Sequence, residues 1–353
     1  MQSNVNLKIG GEFQINPELL INLRSDEAYA KSLMFANGRS ALMYIISQLT
    51  KDNKKRVIHI PYYICKSVYL VLSKTNLEIR FYDLNENFVF QKNYAVQIAS
   101  NDILLLVNYF GFTNNSETIK YIKKHDNSIV VIEDCVQAFF EQEKSIADYT
   151  FTSYRKFFAT PDGASVSTPE LNISISSKEF PTNEFYLHKL LGGVLKHAEI
   201  ENETYLEFFK KGEEIIDSEA NITLISLVGK YLVEQEDYCA VMQQRKNNTK
   251  ILYELGKKAK INFVFDYNPF AIPLCVPILL NNRDRIRKEL FKNGIYLPVH
   301  WGIEAYNECS EFCSFNSKHI ISLIIDQRYS QIEIEREMNI IVDLIEKHDG
   351  DIL

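Results

Sequence analysis

Four short apolar runs in the first half of the chain each end on a polar or turn-forming residue, and the segments between them carry helical spacing. This alternation restricts the fold more than any other feature. The runs are Val57–Ile60 before Pro61, Ile79–Tyr82 before Asp83, Ile103–Val107 before Asn108, and Ile129–Ile132 before Glu133 and Asp134. Apolar runs of this length, bounded in this way, are the pattern of strands covered on both faces. Helical spacing appears in Tyr63–Leu72, in Ser116–His125 and in Arg39–Leu49, where Ala41, Leu42, Ile45, Ile46 and Leu49 share one face. The region to about residue 170 is therefore expected to be a doubly wound α/β domain with a mostly parallel sheet. Such a sheet binds its ligands beyond the carboxyl ends of its strands.

The second half changes character. A charged, largely helical stretch runs from about Lys178 to Leu255 and includes Leu224–Arg245. From Ile261 the pattern gives short strands at Phe263–Phe265 and Leu274–Leu280, a helix at Arg283–Asn293, a strand at Tyr296–Val299 and a last helix from Gln331 to Glu346. This predicts a large domain with a helical extension over residues 1–245 and a smaller C-terminal α+β domain over 246–353.

Composition excludes several functions. A net charge of −7 and only short basic runs argue against a nucleic-acid footprint. No apolar run reaches bilayer length, and the N-terminal residues lack the basic-then-apolar order of a signal peptide, so a cytoplasmic protein is expected. The six cysteines are scattered without a CxxC pair, and reduced thiols are the expectation. Cys309 and Cys313 lack His or Cys partners at ligand spacing, so no metal site is expected.

Three segments carry candidate chemistry. Asn37-Gly38-Arg39-Ser40-Ala41 opens a helix, where free amides and the positive dipole end suit a phosphate, although glycine there also serves turn geometry. The strand ending Ile132-Glu133-Asp134 delivers a carboxylate to the sheet edge, with Gln137 one turn later. Taken alone, that acid reads as a helix cap; against a pyridine nitrogen it would keep the ring protonated. In Ser153-Tyr154-Arg155-Lys156-Phe157-Phe158, Lys156 stands among aromatic residues, an environment that favours the neutral, nucleophilic amine. Gly163 permits a tight return turn after it.

Taken in order, these segments resemble the DegT–StrS group of sugar-nucleotide aminotransferases, enzymes of pyridoxal 5′-phosphate (PLP) fold type I. The resemblance runs through Ile9-Gly10-Gly11-Glu12-Phe13, Asn37 to Leu42, Ile60-Pro61-Tyr62-Tyr63-Ile64-Cys65, Val107 to Phe112, Ile132 to Gln137, Ser153 to Phe158 and Pro161 to Ala164. It continues at Pro298-Val299-His300-Trp301 and Ile325-Asp326-Gln327-Arg328-Tyr329. Where the group commonly has Ser-aromatic-His-x-x-Lys and then Gly-Glu-Gly-Gly, this chain has Ser-Tyr-Arg-Lys and then Pro-Asp-Gly-Ala.

The resemblance implies that Lys156 holds PLP as a Schiff base and shuttles the proton. It implies that Asp134 binds the pyridine nitrogen, that Gln137 lies near the ring hydroxyl, and that Gly38, Arg39, Ser40 and Ser153 contact the phosphate. For the residue stacked on the ring it offers Tyr63, with Tyr62 and Cys65 as alternatives, and both tyrosines could instead pack at a helix start. His300 and Trp301 fall on the substrate-facing side, where Trp301 could equally be a core anchor. The group builds its sites at homodimer interfaces, and it takes an amino group, from L-glutamate, to a nucleotide-linked keto sugar for surface polysaccharide or deoxyamino-sugar biosynthesis. Members that dehydrate the sugar carry His in place of the lysine, so Lys156 favours transamination. The alternatives are an aminotransferase acting on another carbonyl substrate and an inactive member serving as a binding subunit.

Overall fold

The four apolar runs form one side of a seven-stranded sheet, from its middle strand to one edge. A computed structural model describes residues 8–20, 33–52, 55–169, 181–200, 202–302 and 309–348. The expected start of the helical stretch near Lys178 lies outside them. A short strand β1 (Ile9–Gly10) is followed by β2 (Leu33–Phe35), α1 (Gly38–Leu49), β3 (Val57–Pro61), α2 (Lys66–Leu72) and β4 (Glu78–Tyr82). Then come β5 (Ile103–Val107), α3 (Ser116–His125), β6 (Val130–Asp134), β7 (Tyr149–Ser153) and β8 (Ala164–Ser167). The sheet order is β2-β8-β7-β6-β5-β3-β4. Strands β7, β6, β5, β3 and β4 pair in parallel, and β8 runs antiparallel to both neighbours. Every residue of β5 is buried, as a strand covered on both faces requires.

Helix boundaries follow local capping. Asn37 starts α1 by accepting the Ser40 amide at 3.0 Å. The helical stretch including Leu224–Arg245 comprises α4 (Phe185–His197), α5 (Asn202–Ser218), α6 (Leu227–Glu234) and α7 (Tyr238–Lys258). Capping side chains start its last two helices: Ser226 accepts the Gly229 amide and Asp237 accepts the Ala240 amide, both at 2.9 Å.

The remaining elements are β9 (Val276–Leu279), α8 (Arg283–Lys292), β10 (Ile295–Tyr296), α9 (Glu311–His319), β11 (Ile320–Leu323) and α10 (Gln331–His348). β9 and β11 form an antiparallel pair, and β10 pairs in parallel with β1, so the N-terminal strand closes onto the C-terminal part. Phe263–Phe265 makes only one isolated bridge, Phe263 to Ile278, and is not a strand. Its chain is held by side chains as well, since the Tyr253 hydroxyl donates to the Phe265 carbonyl at 2.7 Å. The strand expected over Tyr296–Val299 stops at Tyr296, two residues before Pro298; a proline has no N–H to continue a ladder.

Two main cores result. One surrounds the large sheet; the other joins Ile9, Leu252, Ile278, Ile286, Ile321 and Ile341. The boundary expected at residue 245 falls inside α7, whose Val241 packs with Phe157 and Phe158 while its Leu252 belongs to the second core. Among the described residues no helix is long and apolar enough to cross a membrane.

Asp162 fastens the turn after β7 to α6. Its buried carboxylate accepts Asn183 Nδ2 at 2.6 Å, the Ser226 amide at 2.7 Å and Ser226 Oγ at 2.8 Å. Burial pushes its pKa up to about 6, against the pull of these donors. Asp162→Ala leaves three buried donors unpaired and is expected to cost about 2–4 kcal/mol of stability. Urea unfolding of the variant beside the parent measures this, and a loss under about 0.5 kcal/mol would show that water replaces the carboxylate.

Candidate active site

Where β5, β6 and β7 end, the chain encloses a cavity of about 580 Å³. Val107, Asp134, Phe151 and Ser153 line it from the sheet, Asn37, Gly38 and Arg39 from the mouth of α1, and Cys275, His300 and Trp301 from the C-terminal part. This is the carboxyl edge at which a doubly wound sheet binds ligands.

Asp134 is the last residue of β6 and is buried. Its Oδ1 accepts the Val136 amide at 2.9 Å. Burial raises its pKa to about 7, a shift that the Val136 amide and the Lys156 charge oppose and Glu133 reinforces. A carboxylate held in this way is a site for a cation or a protonated ring nitrogen. Gln137 also faces the cavity. Its Oε1 accepts the Phe110 amide at 2.8 Å, which fixes the orientation of the side-chain amide. Its Nε2 is buried without a hydrogen-bond partner among the described residues, so a buried donor is left unused. The neighbouring turn is equally constrained: Gly111 has φ +88°, and a Cβ there would lie 2.9 Å from Pro273 Cα and 3.0 Å from the Gln137 carbonyl oxygen.

Lys156 sits in a single 3₁₀ turn, Tyr154–Lys156, directly after β7, and it is exposed to the cavity. The residue before it is fixed. Arg155 Nη2 donates to Glu213 at 2.7 Å, Lys189 Nζ bridges Glu213 and Glu12 at 2.6 and 2.5 Å, and Glu12 itself lines the cavity. Burial pushes Glu213 up, but Arg155 and Lys189 outweigh it and hold the carboxyl near 2. Lys189 is almost fully buried, and the two carboxylates make that burial tolerable.

From the other wall, His300 Nδ1 lies 2.9 Å from Ser322 Oγ. Burial and then the Lys156 charge lower its pKa to about 3, so the imidazole is neutral at physiological pH. Arg328 makes a two-pronged pair with Asp326 at 2.9 and 2.7 Å and donates to the Glu12 carbonyl at 3.2 Å. Both residues line the cavity.

The structure thus brings together Gly38, Arg39, Asp134, Gln137, Ser153, Lys156, His300 and Trp301 around one cavity. It separates two others from them. The Ser40 amide is taken by Asn37 Oδ1, and the Ser40 hydroxyl lies 3.1 Å from Thr223 Oγ1, away from the cavity. Ser40 is therefore not placed as a phosphate ligand: the capping bond that starts α1 uses the amide that was expected to serve. Tyr63 is buried behind the wall, with its hydroxyl on the His300 carbonyl and its ring against Tyr109 and Trp301. It does not face the cavity and cannot stack on a ring there, whereas Cys65 does line it. Arg39 reaches the cavity, but its guanidinium is held by Asp217 at 2.7 Å and the Ile216 carbonyl at 3.0 Å.

Glu12, Arg155, Lys189, Glu213, Arg245 and Arg328 had no assigned role in the sequence. Glu12 and Arg328 fall in segments whose order along the chain marked them, and Arg155 is the residue by which this chain departs from the usual lysine segment. The other three carry no signal without the fold.

No protein-family model matches the chain, and no curated protein does. Among solved structures it resembles the "putative sugar aminotransferase Spr1654" of Streptococcus pneumoniae in its PLP form, with a TM-score of 0.66 at 16% identity over 96% of this chain and 93% of that one. A DegT/DnrJ/EryC1/StrS aminotransferase from Brucella abortus gives 0.61 at 14% identity over 93% and 90%. The E. coli GDP-4-keto-6-deoxy-D-mannose-3-dehydratase with bound hydrated PLP gives 0.62 at 14% over 88% and 87%. These similarities and the sheet order establish the fold as PLP fold type I.

Proposed function

We propose that this chain is a PLP-dependent aminotransferase that moves an amino group, with L-glutamate as donor, onto the keto carbon of a nucleotide-linked sugar. The observation that supports it most is the shared wall of Asp134, Gln137 with its unpartnered Nε2, and Lys156. A buried acid, an unpaired amide donor and an accessible amine are the three contacts that a substituted pyridine carrying an aldehyde requires. The residues present fit the coenzyme.

In this reading the Asp134 carboxylate keeps the ring nitrogen protonated, and Gln137 Nε2 donates to the ring oxygen. The amides of Gly38 and Arg39 at the α1 mouth, with the Ser153 hydroxyl, receive the phosphate. Lys156 Nζ anchors the coenzyme, takes the proton from the donor's α-carbon and returns it. The neutral His300 and Trp301 face the sugar. When bound, the coenzyme supplies a conjugated electron sink for charge developing at the substrate carbon. The fold also accommodates a sugar dehydratase, as the E. coli structure shows. Lys156 at the position where dehydrating relatives carry His supports amination instead. We further propose a homodimer whose partner completes the site, a cytoplasmic location, and a place in surface-polysaccharide or deoxyamino-sugar synthesis.

The test is amination of a panel of nucleotide-linked keto sugars by the PLP-loaded protein with glutamate, read by product mass and by loss of the visible band near ~420 nm. Turnover on at least one sugar is expected. A protein that takes up PLP and reacts with glutamate but aminates none of them acts on another carbonyl compound. One that takes up no PLP is not an enzyme of this type.

A further inference from the structure

The turn that carries Lys156 is gripped by Arg245, a cavity-lining residue with no role in the coenzyme reading above. Arg245 of α7 is fully buried, and among the described residues no acid lies within 4.0 Å of it. Burial lowers its pKa to about 10. Asp326 opposes that shift from beyond ion-pair distance, and a buried cation without a direct acid partner is costly, so its other contacts need a reason. The guanidinium lies 4.5 Å over the ring of Phe157, the residue directly after Lys156. Its Nε donates to Gln327 Oε1 at 3.0 Å, and Gln327 Nε2 in turn donates to the Phe157 carbonyl at 2.5 Å. Phe157 is thus held by ring and by carbonyl, while its amide closes the turn onto the Tyr154 carbonyl at 2.9 Å.

The same guanidinium reaches the other half of the site. Its Nη1 donates to the carbonyls of Pro273 and Leu274 at 3.1 and 3.2 Å. The Leu274 amide donates to the Phe110 carbonyl at 2.9 Å, and the Phe110 amide donates to Gln137 Oε1. One rigid planar group therefore spans the Lys156 turn and the segment that orients Gln137. A lysine at 245 would have no fork to make these contacts together.

We propose that Arg245, acting through Gln327, is a positioning residue that sets Lys156 relative to Gln137. The claim rests on the coenzyme reading above for its catalytic meaning, but not for its structural test. Gln327 does not line the cavity, which makes Gln327→Glu the informative variant. A glutamate keeps an acceptor for Arg245 Nε and compensates its charge, yet replaces the donor to the Phe157 carbonyl with an acceptor. A purely structural role predicts an unchanged or improved protein.

Positioning predicts an unchanged or raised melting midpoint together with about tenfold faster amide exchange over residues 154–158. It also predicts that the rate of PLP capture and kcat both fall about 10–100-fold while the KM for the amino donor stays within about twofold. Arg245→Met should accelerate exchange in the same segment, with loss of stability. Lys250→Gln, on the exposed face of α7, should change neither. If exchange over 154–158 and PLP capture in Gln327→Glu stay within about twofold of the parent, the proposal is wrong. If the parent captures no PLP, the coenzyme reading fails by itself, and the exchange rates still decide whether Arg245 and Gln327 hold the turn.

Discussion

Lys156→Ala is expected to remove the visible coenzyme band near ~420 nm and to lower the glutamate half-reaction by at least ~10³-fold, because one residue both anchors the coenzyme and moves the proton. The size of the effect follows from geometry. Lys156 is the exposed residue of a turn whose neighbours are committed elsewhere, Arg155 to Glu213 and Phe157 to Arg245 and Gln327. Among the sequence-expected site residues, no other offers an amine to the cavity. The variant should fold, since an exposed side chain contributes little to the core. Absorbance after PLP addition and single-turnover kinetics measure it, and retention of the band would transfer the role to another amine.

Asp134→Asn should separate stability from catalysis. In the coenzyme-free protein, burial raises the Asp134 pKa from the ordinary carboxylate value to about 7. Between about pH 4 and pH 7 the folded chain keeps a proton that the unfolded chain has released, so this group's contribution to stability falls as pH rises and levels off above about 7. Asparagine keeps the acceptor for the Val136 amide and carries no charge. Relative to the parent, the variant should therefore gain on the order of 2–4 kcal/mol at pH 8 and nothing near pH 4. Denaturant titrations of both proteins across this range give the difference directly; a constant difference would mean that Asp134 is not desolvated. The same substitution removes the charge facing the ring nitrogen, and a loss of ~10²–10³-fold in kcat is expected from the loaded enzyme. A carboxylate that destabilises the empty protein and serves the loaded one is a common arrangement at functional sites.

Some of this was legible in the chain and some was not. The apolar runs at 57–60, 79–82, 103–107 and 129–132 correspond to β3, β4, β5 and β6; β3, β5 and β6 are largely buried and so apolar along their length, while the edge strand β4 keeps Glu78 and Arg80 exposed. β7 and β8 escaped that reading. Thr150, Thr152, Ser153 and Ser165 lie in them and are buried, and Thr152 and Ser165 have polar partners that no single segment reveals, the Cys135 carbonyl and Gln142. The site shows the same division. Asp134, Gln137 and Lys156 are placed by local features, a strand end and the turns beside it, so their order along the chain was informative.

Ser40 and Tyr63 were misplaced because their roles depend on what lies opposite them: Asn37 and Thr223 in one case, His300 and Trp301 in the other. By itself the sequence determined the strands β3 to β6, the residues delivered to the sheet's carboxyl edge and the lysine that follows. Only the tertiary structure decided which of these share a cavity, and it alone showed Arg245 against Phe157 and Lys189 between Glu12 and Glu213. The physical reason is range. Periodicity and capping act over a few residues, whereas the burial of a charge is set by groups that only the folded chain brings into contact.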